Sequence, residues 1–161
     1  MSYTNSDGLY ILTETAQGDV QDKGRTITGV RQSLVIDIPD FTAIGSTFGS
    51  SNIDPLDATI PAGAIITNAD LKITTAATSG GSATLTIGTY NSAGTAIDAD
   101  GIDAAIALTA IDAAQDVVQC DGAQVAGVTT VGSADAYVGL IYGTAAFTAG
   151  AGKLVIEYIV V

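Results

Sequence analysis

Alternation of apolar and polar residues is the feature that most constrains how this chain can fold. Residues 32–39 (QSLVIDIP), 82–90 (SATLTIGTY) and 152–161 (GKLVIEYIVV) each carry a run of apolar side chains at every second position. Successive side chains of a β-strand point to opposite faces, so a period of two produces one apolar face. The sequence therefore predicts antiparallel strands that bury one face and expose the other.

Turn residues separate these runs from further predicted strands. Pro61 and Gly63 in the stretch IPAG fit the second and fourth positions of a type I turn. An Asp121–Gly122 pair predicts a hairpin turn between two short strands. The predicted strands cover residues 8–15, 32–38, 65–75, 82–90, 116–120, 124–128, 136–142 and 152–161.

One segment, DGIDAAIALTAID at residues 100–112, predicts a short helix instead. Ile102, Ala105, Ile106 and Thr109 follow the helical spacing i, i+3, i+4, i+7. An aspartate just before them, Asp98 or Asp100, would cap the start of the helix.

Together these elements predict an all-β fold. About eight strands, one short helix and regularly spaced glycine-rich turns indicate a two-layer antiparallel β-sandwich, jelly-roll-like rather than a closed barrel. Small and β-branched residues dominate its apolar fraction, which suits sheets packed face to face. We expect the sandwich domain to span residues 32–161, and residues 1–31 to form an N-terminal arm or extension.

The charge distribution limits the kinds of partner. Seventeen acidic residues against five basic ones give a net charge of −12, which repels nucleic acid and anionic lipid surfaces. Lys23, Arg25 and Arg31 fall within nine residues and suggest docking on an acidic neighbour, although three solvated loop charges would give the same pattern. No apolar run is long enough to cross a bilayer, and the first residues lack the pattern of a signal peptide.

The sequence contains few side chains that could carry out catalysis. The chain has no histidine, so neither a catalytic triad nor activation of Cys120 by an imidazole is possible. We expect Cys120 to be a buried, inert thiol. The stretch DADGID (Asp98, Asp100, Asp103) departs from the calcium-loop pattern and favours a turn over a metal site. No glycine-rich motif indicates a nucleotide cofactor. We therefore expect neither an enzyme nor a bound cofactor.

Several stretches support a family resemblance over roughly residues 57–161. ATIPAGAIITNADLKITTA, TLTIGTYNSAGTAID and GTAAFTAGAGKLVIEYIVV resemble small virion proteins of tailed bacteriophages, in particular capsid decoration (cement) proteins with a jelly-roll-like sandwich. The resemblance implies a homotrimer on the capsid exterior that binds the major capsid protein and stabilises the head. It also implies synthesis in the cytoplasm of a host bacterium.

Within that hypothesis two groups of residues are candidates for contacts. Lys23, Arg25 and Arg31 would dock on the capsid. One face of the last strand would form the oligomer interface; its residues are Leu154, Ile156, Tyr158 and Val160.

Two other functions stay open at this stage. The chain could be a phage tail or baseplate component, or a carbohydrate- or receptor-binding sandwich module. A binding module would need an exposed aromatic platform, for which Tyr90, Tyr137 and Tyr142 are the candidates.

Overall fold

The computed structural model describes residues 2–4, 10–12, 31–49 and 59–161, and strands are the main secondary structure of these residues. In chain order the strands are β1 (Ser2–Thr4), β2 (Tyr10–Leu12), β3 (Arg31–Ile38), β4 (Thr59–Ile60), β5 (Ile65–Ser79), β6 (Thr84–Tyr90), β7 (Ala96–Ala107), β8 (Val117–Gln119), β9 (Ala136–Gly143) and β10 (Phe147–Ile159). Strands β1 and β2 pair with each other in a small antiparallel sheet.

The other eight strands form two four-stranded antiparallel sheets. The first sheet has the order β3-β10-β5-β8 and the second sheet the order β4-β9-β6-β7. The pairing is nested, because β3 pairs with β10, β4 with β9, β5 with β8 and β6 with β7. A chain doubled back on itself in this way and then rolled into two layers is a jelly roll. The predicted all-β, jelly-roll-like sandwich is thus confirmed.

Apolar residues at alternate positions fill the space between the two sheets. Leu85 and Ile87 of β6 are fully buried, as are Leu154 and Ile156 of β10. Strand β10 lies between β3 and β5, so neighbouring strands cover both of its edges, while its outer face carries Lys153, Val155, Glu157 and Ile159. The four fully buried side chains belong to one continuous buried cluster that spans both sheets. Burial of this aliphatic surface is the main force that holds the layers together.

The predicted short helix at residues 100–112 is wrong, because most of this segment belongs to β7. Between Asp98 and Asp103 the strand carries a wide bulge, in which four residues lie opposite the single residue Gly88 of β6. A second irregularity follows, in which two residues lie opposite Thr86; it leaves Ala104 and Ala105 exposed, so the buried Ile102 and Ile106 stand at a spacing of four with no buried residue midway. That spacing imitates the period of a helix. Only a 3-10 turn, Leu108–Ala110, follows the strand.

Two shorter predictions also need correction. Residues 124–128 form turns rather than a strand, and the amides of Val125 and Ala126 both donate to the carbonyl oxygen of Gly122. The turn after β4 runs from Pro61 to Ala64, one residue later than expected. Gly63 holds its third position with φ +71°, which a type II turn requires.

The connection after β3 ties the first sheet to the second. A 3-10 turn, Phe41–Ala43, begins at Asp40, whose carboxylate accepts a hydrogen bond from the amide of Thr42 at 2.8 Å. Phe41 is fully buried and meets Phe147 edge to face, with ring centroids 5.6 Å apart. Further along, the carbonyl of Gly45 accepts a hydrogen bond from the amide of Tyr142 in β9 at 2.9 Å. The connection therefore reaches the second sheet.

Candidate contact surfaces

The outer face of the first sheet, which we call the open face, carries every cation of the described residues. Arg31 lies on β3, Lys153 on β10 and Lys72 on β5, and all three are exposed. Arg31 pairs with Glu157 at 2.9 Å, and Lys153 pairs with Asp37 at 3.2 Å. The sheet thus gathers onto one surface three cations that are up to 122 residues apart in the sequence.

Apolar side chains lie between these ion pairs. Val155 of β10 lies opposite Val35 of β3, and Val35 is 55% exposed. At the far edge of the sheet, Val117 of β8 lies opposite Lys72 and is 61% exposed. Exposed apolar side chains bordered by charges are typical of surfaces that bind another protein.

Lys72 differs from the other two cations. It lies opposite Lys153 on one side and Val117 on the other, and neither ion pair among the described residues includes it. The carboxylate of Asp70, two residues before Lys72, accepts a hydrogen bond from the side-chain amide of Asn68. The ammonium group of Lys72 is therefore the positive charge of the open face that forms no ion pair with a described carboxylate.

The rest of the described surface is acidic. The open face holds three carboxylates, Asp37, Asp70 and Glu157, which balance its three cations. Outside it, the described ranges 31–49 and 59–161 contain no lysine or arginine. They contain eight further aspartates, at positions 40, 98, 100, 103, 112, 116, 121 and 135. Charge is thus segregated between a balanced face and an acidic remainder.

Four of these aspartates, Asp98, Asp100, Asp103 and Asp121, gather around the bulge of β7, and we call this region the acidic flank. Burial and a hydrogen bond with the Asp100 side chain raise the pKa of Asp98. Burial also raises the pKa of Asp103, which is only 7% exposed, and the charge of Asp121 adds to the effect. The carboxylates of the flank therefore crowd one another.

Glycines allow the chain to pack closely at this flank. Gly88 has no side chain, and a Cβ there would lie 2.2 Å from the carbonyl oxygen of Ala99. The amide of Gly122 donates to the carbonyl of Ile102 at 2.9 Å, so the turn after β8 rests on the bulge. Underneath, the side-chain oxygen of the buried Gln124 accepts a hydrogen bond from the Thr89 hydroxyl at 3.1 Å. The sequence pattern does not reveal this polar contact, because the bulge of β7 brings two residues together that are 35 positions apart.

The DADGID stretch thus forms the bulge rather than the predicted turn and helix start. Within the described ranges, no three acidic, cysteine or histidine side chains come close enough together to hold a metal ion. Cys120 is 2% exposed, and burial raises the pKa of its thiol to about 12. The prediction of a buried thiol is confirmed.

The predicted contact residues have mixed outcomes. Lys23 and Arg25 lie outside the described residues, and Arg31 is the first residue of β3. The four residues of the predicted oligomer interface point toward the sandwich interior: Leu154 and Ile156 have no exposed surface, Tyr158 is 5% exposed and Val160 packs against the core. These side chains pack in the core of the same chain, and their role as an oligomer interface stays a prediction. A partner of β10 would meet its other face, at Val155 and Ile159.

The three tyrosines considered as an exposed aromatic platform are buried or partly buried in the structure. Tyr90 is 4% exposed, because Phe48 packs over it with ring centroids 4.3 Å apart. Gly139 lies beneath both rings, where a Cβ would come within 2.6 Å of Tyr90 and 2.7 Å of Phe48. Tyr137 and Tyr142 are partly buried. Tyr90 is thus covered by the chain itself.

No helix of the described residues is long and apolar enough to cross a membrane. No protein-family model matches the sequence, and no curated protein matches it.

Two solved structures share the fold. One is described as the capsid of Ralstonia phage GP4, with a TM-score of 0.56 and 18% identity over 83% of this chain and 86% of the other. The second is described as the acidic stable capsid structure of Helicobacter pylori bacteriophage KHP30, with a TM-score of 0.55 and 11% identity over 83% of this chain and 90% of the other. Chains from two phage capsids therefore have the same jelly-roll architecture as this one.

Proposed function

We propose that this chain is a structural virion protein of a bacteriophage, a decoration or cement protein that binds the major capsid protein and stabilises the head. The observation that carries the proposal is the nested jelly-roll pairing, shared over 83% of the chain with chains from two phage capsids. The motifs of residues 57–161, which resemble decoration proteins, support the same role.

The chemistry of the surface is consistent with adhesion rather than catalysis. The chain has no imidazole, and its thiol is buried with a raised pKa. The open face combines exposed valines with a charged border, as protein contacts do. A protein that acts by holding neighbours together needs such a surface and no reactive group.

The proposal includes a homotrimer at the capsid exterior, with the segment before β3 reaching across the shell. Lys23 and Arg25 would dock there on acidic capsid residues. Arg31 would lie where that segment joins the open face, since it begins β3. Synthesis in the cytoplasm of the bacterial host, without export, belongs to the same proposal.

A reconstitution experiment tests this function. Phage particles that lack the protein, obtained by interrupting its gene, should bind the purified chain to saturation and then survive heating to a higher temperature. Combined charge reversal, Lys23→Glu with Arg25→Glu, should weaken that binding while the circular dichroism spectrum keeps its β-sheet signature. Particles that neither contain nor bind the chain would contradict the proposal. Binding to host cells or to tails, with none to heads, would favour the receptor-binding or tail function instead.

A further inference from the structure

We propose that copies of this chain associate head to tail, with the open face of one copy seated on the acidic flank of the next. The partner surface is thus supplied by a second copy of the same chain. The pair of surfaces follows from the charge distribution, whereas the number of copies, three, rests on the proposed function.

Charge segregation is the first argument. A chain with a net charge of −12 repels its own copies at most orientations. A contact between two acidic flanks would bring carboxylates together and would be repulsive. A contact between two open faces would join two surfaces that are ion-paired and nearly neutral, so charge attraction between them would be weak. A head-to-tail contact instead brings Lys72, which forms no ion pair with a described carboxylate, to the carboxylates of Asp98, Asp100 and Asp121.

Crowding at the flank strengthens this argument. Asp100 lies close enough to Asp98, and Asp121 close enough to Asp103, that each neighbour helps to raise the pKa of the other carboxyl group. An ammonium group that arrives from outside relieves this repulsion as well as forming new contacts. A flank with several crowded carboxylates therefore gains more from a cation than an isolated aspartate would.

The apolar side chains match as well. The open face presents Val35 and Val117, which are 55% and 61% exposed. The flank presents Ile97, which is 38% exposed, with exposed alanines at positions 96 and 99 beside it. Small side chains leave a shallow surface into which Val117 of the other copy, which lies opposite Lys72, can pack beside the charge contact.

Head-to-tail contacts have a geometric consequence. The surface that one copy offers differs from the one that it receives, so each copy can bind two neighbours. Such contacts either close into a ring or continue as a filament. A closed ring of three agrees with the homotrimer of the proposed function.

A charge swap tests the pairing. The purified chain is followed by light scattering and sedimentation at about 50 mM salt, where charge contacts are weakly screened. Lys72→Glu and Asp100→Lys should each weaken association by about tenfold or more, the loss expected for one charge contact. The double variant, which has the net charge of the natural chain, should associate again. Asp112→Lys changes the net charge by the same amount as Asp100→Lys, but Asp112 follows Ile111, whose carbonyl accepts a hydrogen bond from the amide of Ala77 near the end of β5, so this variant should leave association unchanged.

Three outcomes would overturn the inference. They are a natural chain that stays monomeric at all concentrations, single variants that associate normally, and a double variant that fails to recover. These measurements use no phage particles, so they separate this inference from the proposed function. A monomer that still binds heads would contradict only the head-to-tail contact. An oligomer that is absent from heads would contradict only the virion role.

Discussion

The two sheets share one core, yet their outer faces differ. The connection after β3 covers part of the second sheet, where Phe48 packs on Tyr90 above Gly139. The first sheet instead exposes valines and all three cations of the described residues. The comparison indicates that one outer face is used for contacts within the chain, whereas the other is available for contacts with a partner.

Glycine makes this difference possible. On the second sheet, Gly139 of β9 lies opposite Gly88 of β6. A Cβ at Gly139 would clash with the rings of Tyr90 and Phe48, and a Cβ at Gly88 would clash with the backbone of Ala99. On the open face the corresponding positions carry β-branched or charged side chains, such as Val35, Val155 and Lys72. Glycines thus occur where other parts of the chain pack on the second sheet, and larger side chains occur where the first sheet is exposed.

The largest expected effect comes from removing the aromatic side chain that anchors the connection between the sheets. Phe41→Ala should lower the free energy of unfolding by about 3 to 5 kcal/mol, because it opens a cavity against Phe147. Urea denaturation measures the change. Val35→Ala on the open face is the matched control and should cost about 0.5 kcal/mol or less, since Val35 is half exposed. Equal losses at the two positions would break the comparison between the faces.

A smaller effect is expected from crowding the covered face. Gly139→Ala should destabilise the chain by about 1 to 3 kcal/mol, because the new methyl group would press on Tyr90 and Phe48. Phe48→Ala in the same chain should recover part of the loss by removing one of the two rings. Gly80→Ala serves as the control, since nothing lies within 4 Å of a Cβ there. If Gly139→Ala is neutral, Phe48 does not pack over the second sheet as described.

The acidic flank should make stability depend on pH. Burial raises the pKa of Asp103 in the folded chain above its value in the unfolded chain. The contribution of Asp103 to the free energy of unfolding is therefore most favourable at a pH below its pKa in the unfolded chain, and it is lost as the pH rises through its pKa in the folded chain. Asp103→Asn keeps an acceptor for the amide of Ala105 without the charge. We expect it to raise the melting temperature at pH 7 by a few degrees, roughly 1 kcal/mol, and to have little effect near pH 3. A variant that is less stable than the natural chain at pH 7 would contradict this assignment.

The smallest effect is expected on the open face itself. Arg31→Ala breaks the exposed ion pair with Glu157 and should cost about 0.2 to 1 kcal/mol at low salt. The loss should fade in about 0.5 M salt, because exposed charges are then screened. Thermal unfolding at the two salt concentrations measures it. A loss of several kcal/mol would mean that this face is part of the structural core rather than an available surface.

The sequence predicted those parts of the fold in which alternation is undisturbed. In β6, and in β10 from Gly152 onward, the inward residues follow a period of two, as predicted; β10 begins at Phe147, five residues before the predicted start, where the alternation is irregular. The prediction failed at β7, because the register shifts opposite Gly88 and Thr86 break the alternation and leave the buried Ile102 and Ile106 at a helical spacing. A bulge depends on the partner strand, which the pattern of one strand does not reveal.

The contact surface was harder to predict than the fold. Arg31 was identified from a local cluster of basic residues, but Lys72 and Lys153 are distant in sequence and only the register of β3, β10 and β5 brings them to one face. The row of residues predicted as an interface on β10 packs in the core of the chain itself, because an apolar row suits a core as well as a partner. Which face of a strand the core occupies is decided by the opposing sheet.

The central claim is that this chain is a component of a phage head. Electron cryomicroscopy of the particles of the phage that encodes it, with mass spectrometry of the same sample, tests that claim most directly. We predict that the jelly roll fits density on the outer surface of the head, in many copies and in contact with the shell. Particles complete and stable without the chain, or density for it confined to the tail, would contradict the account.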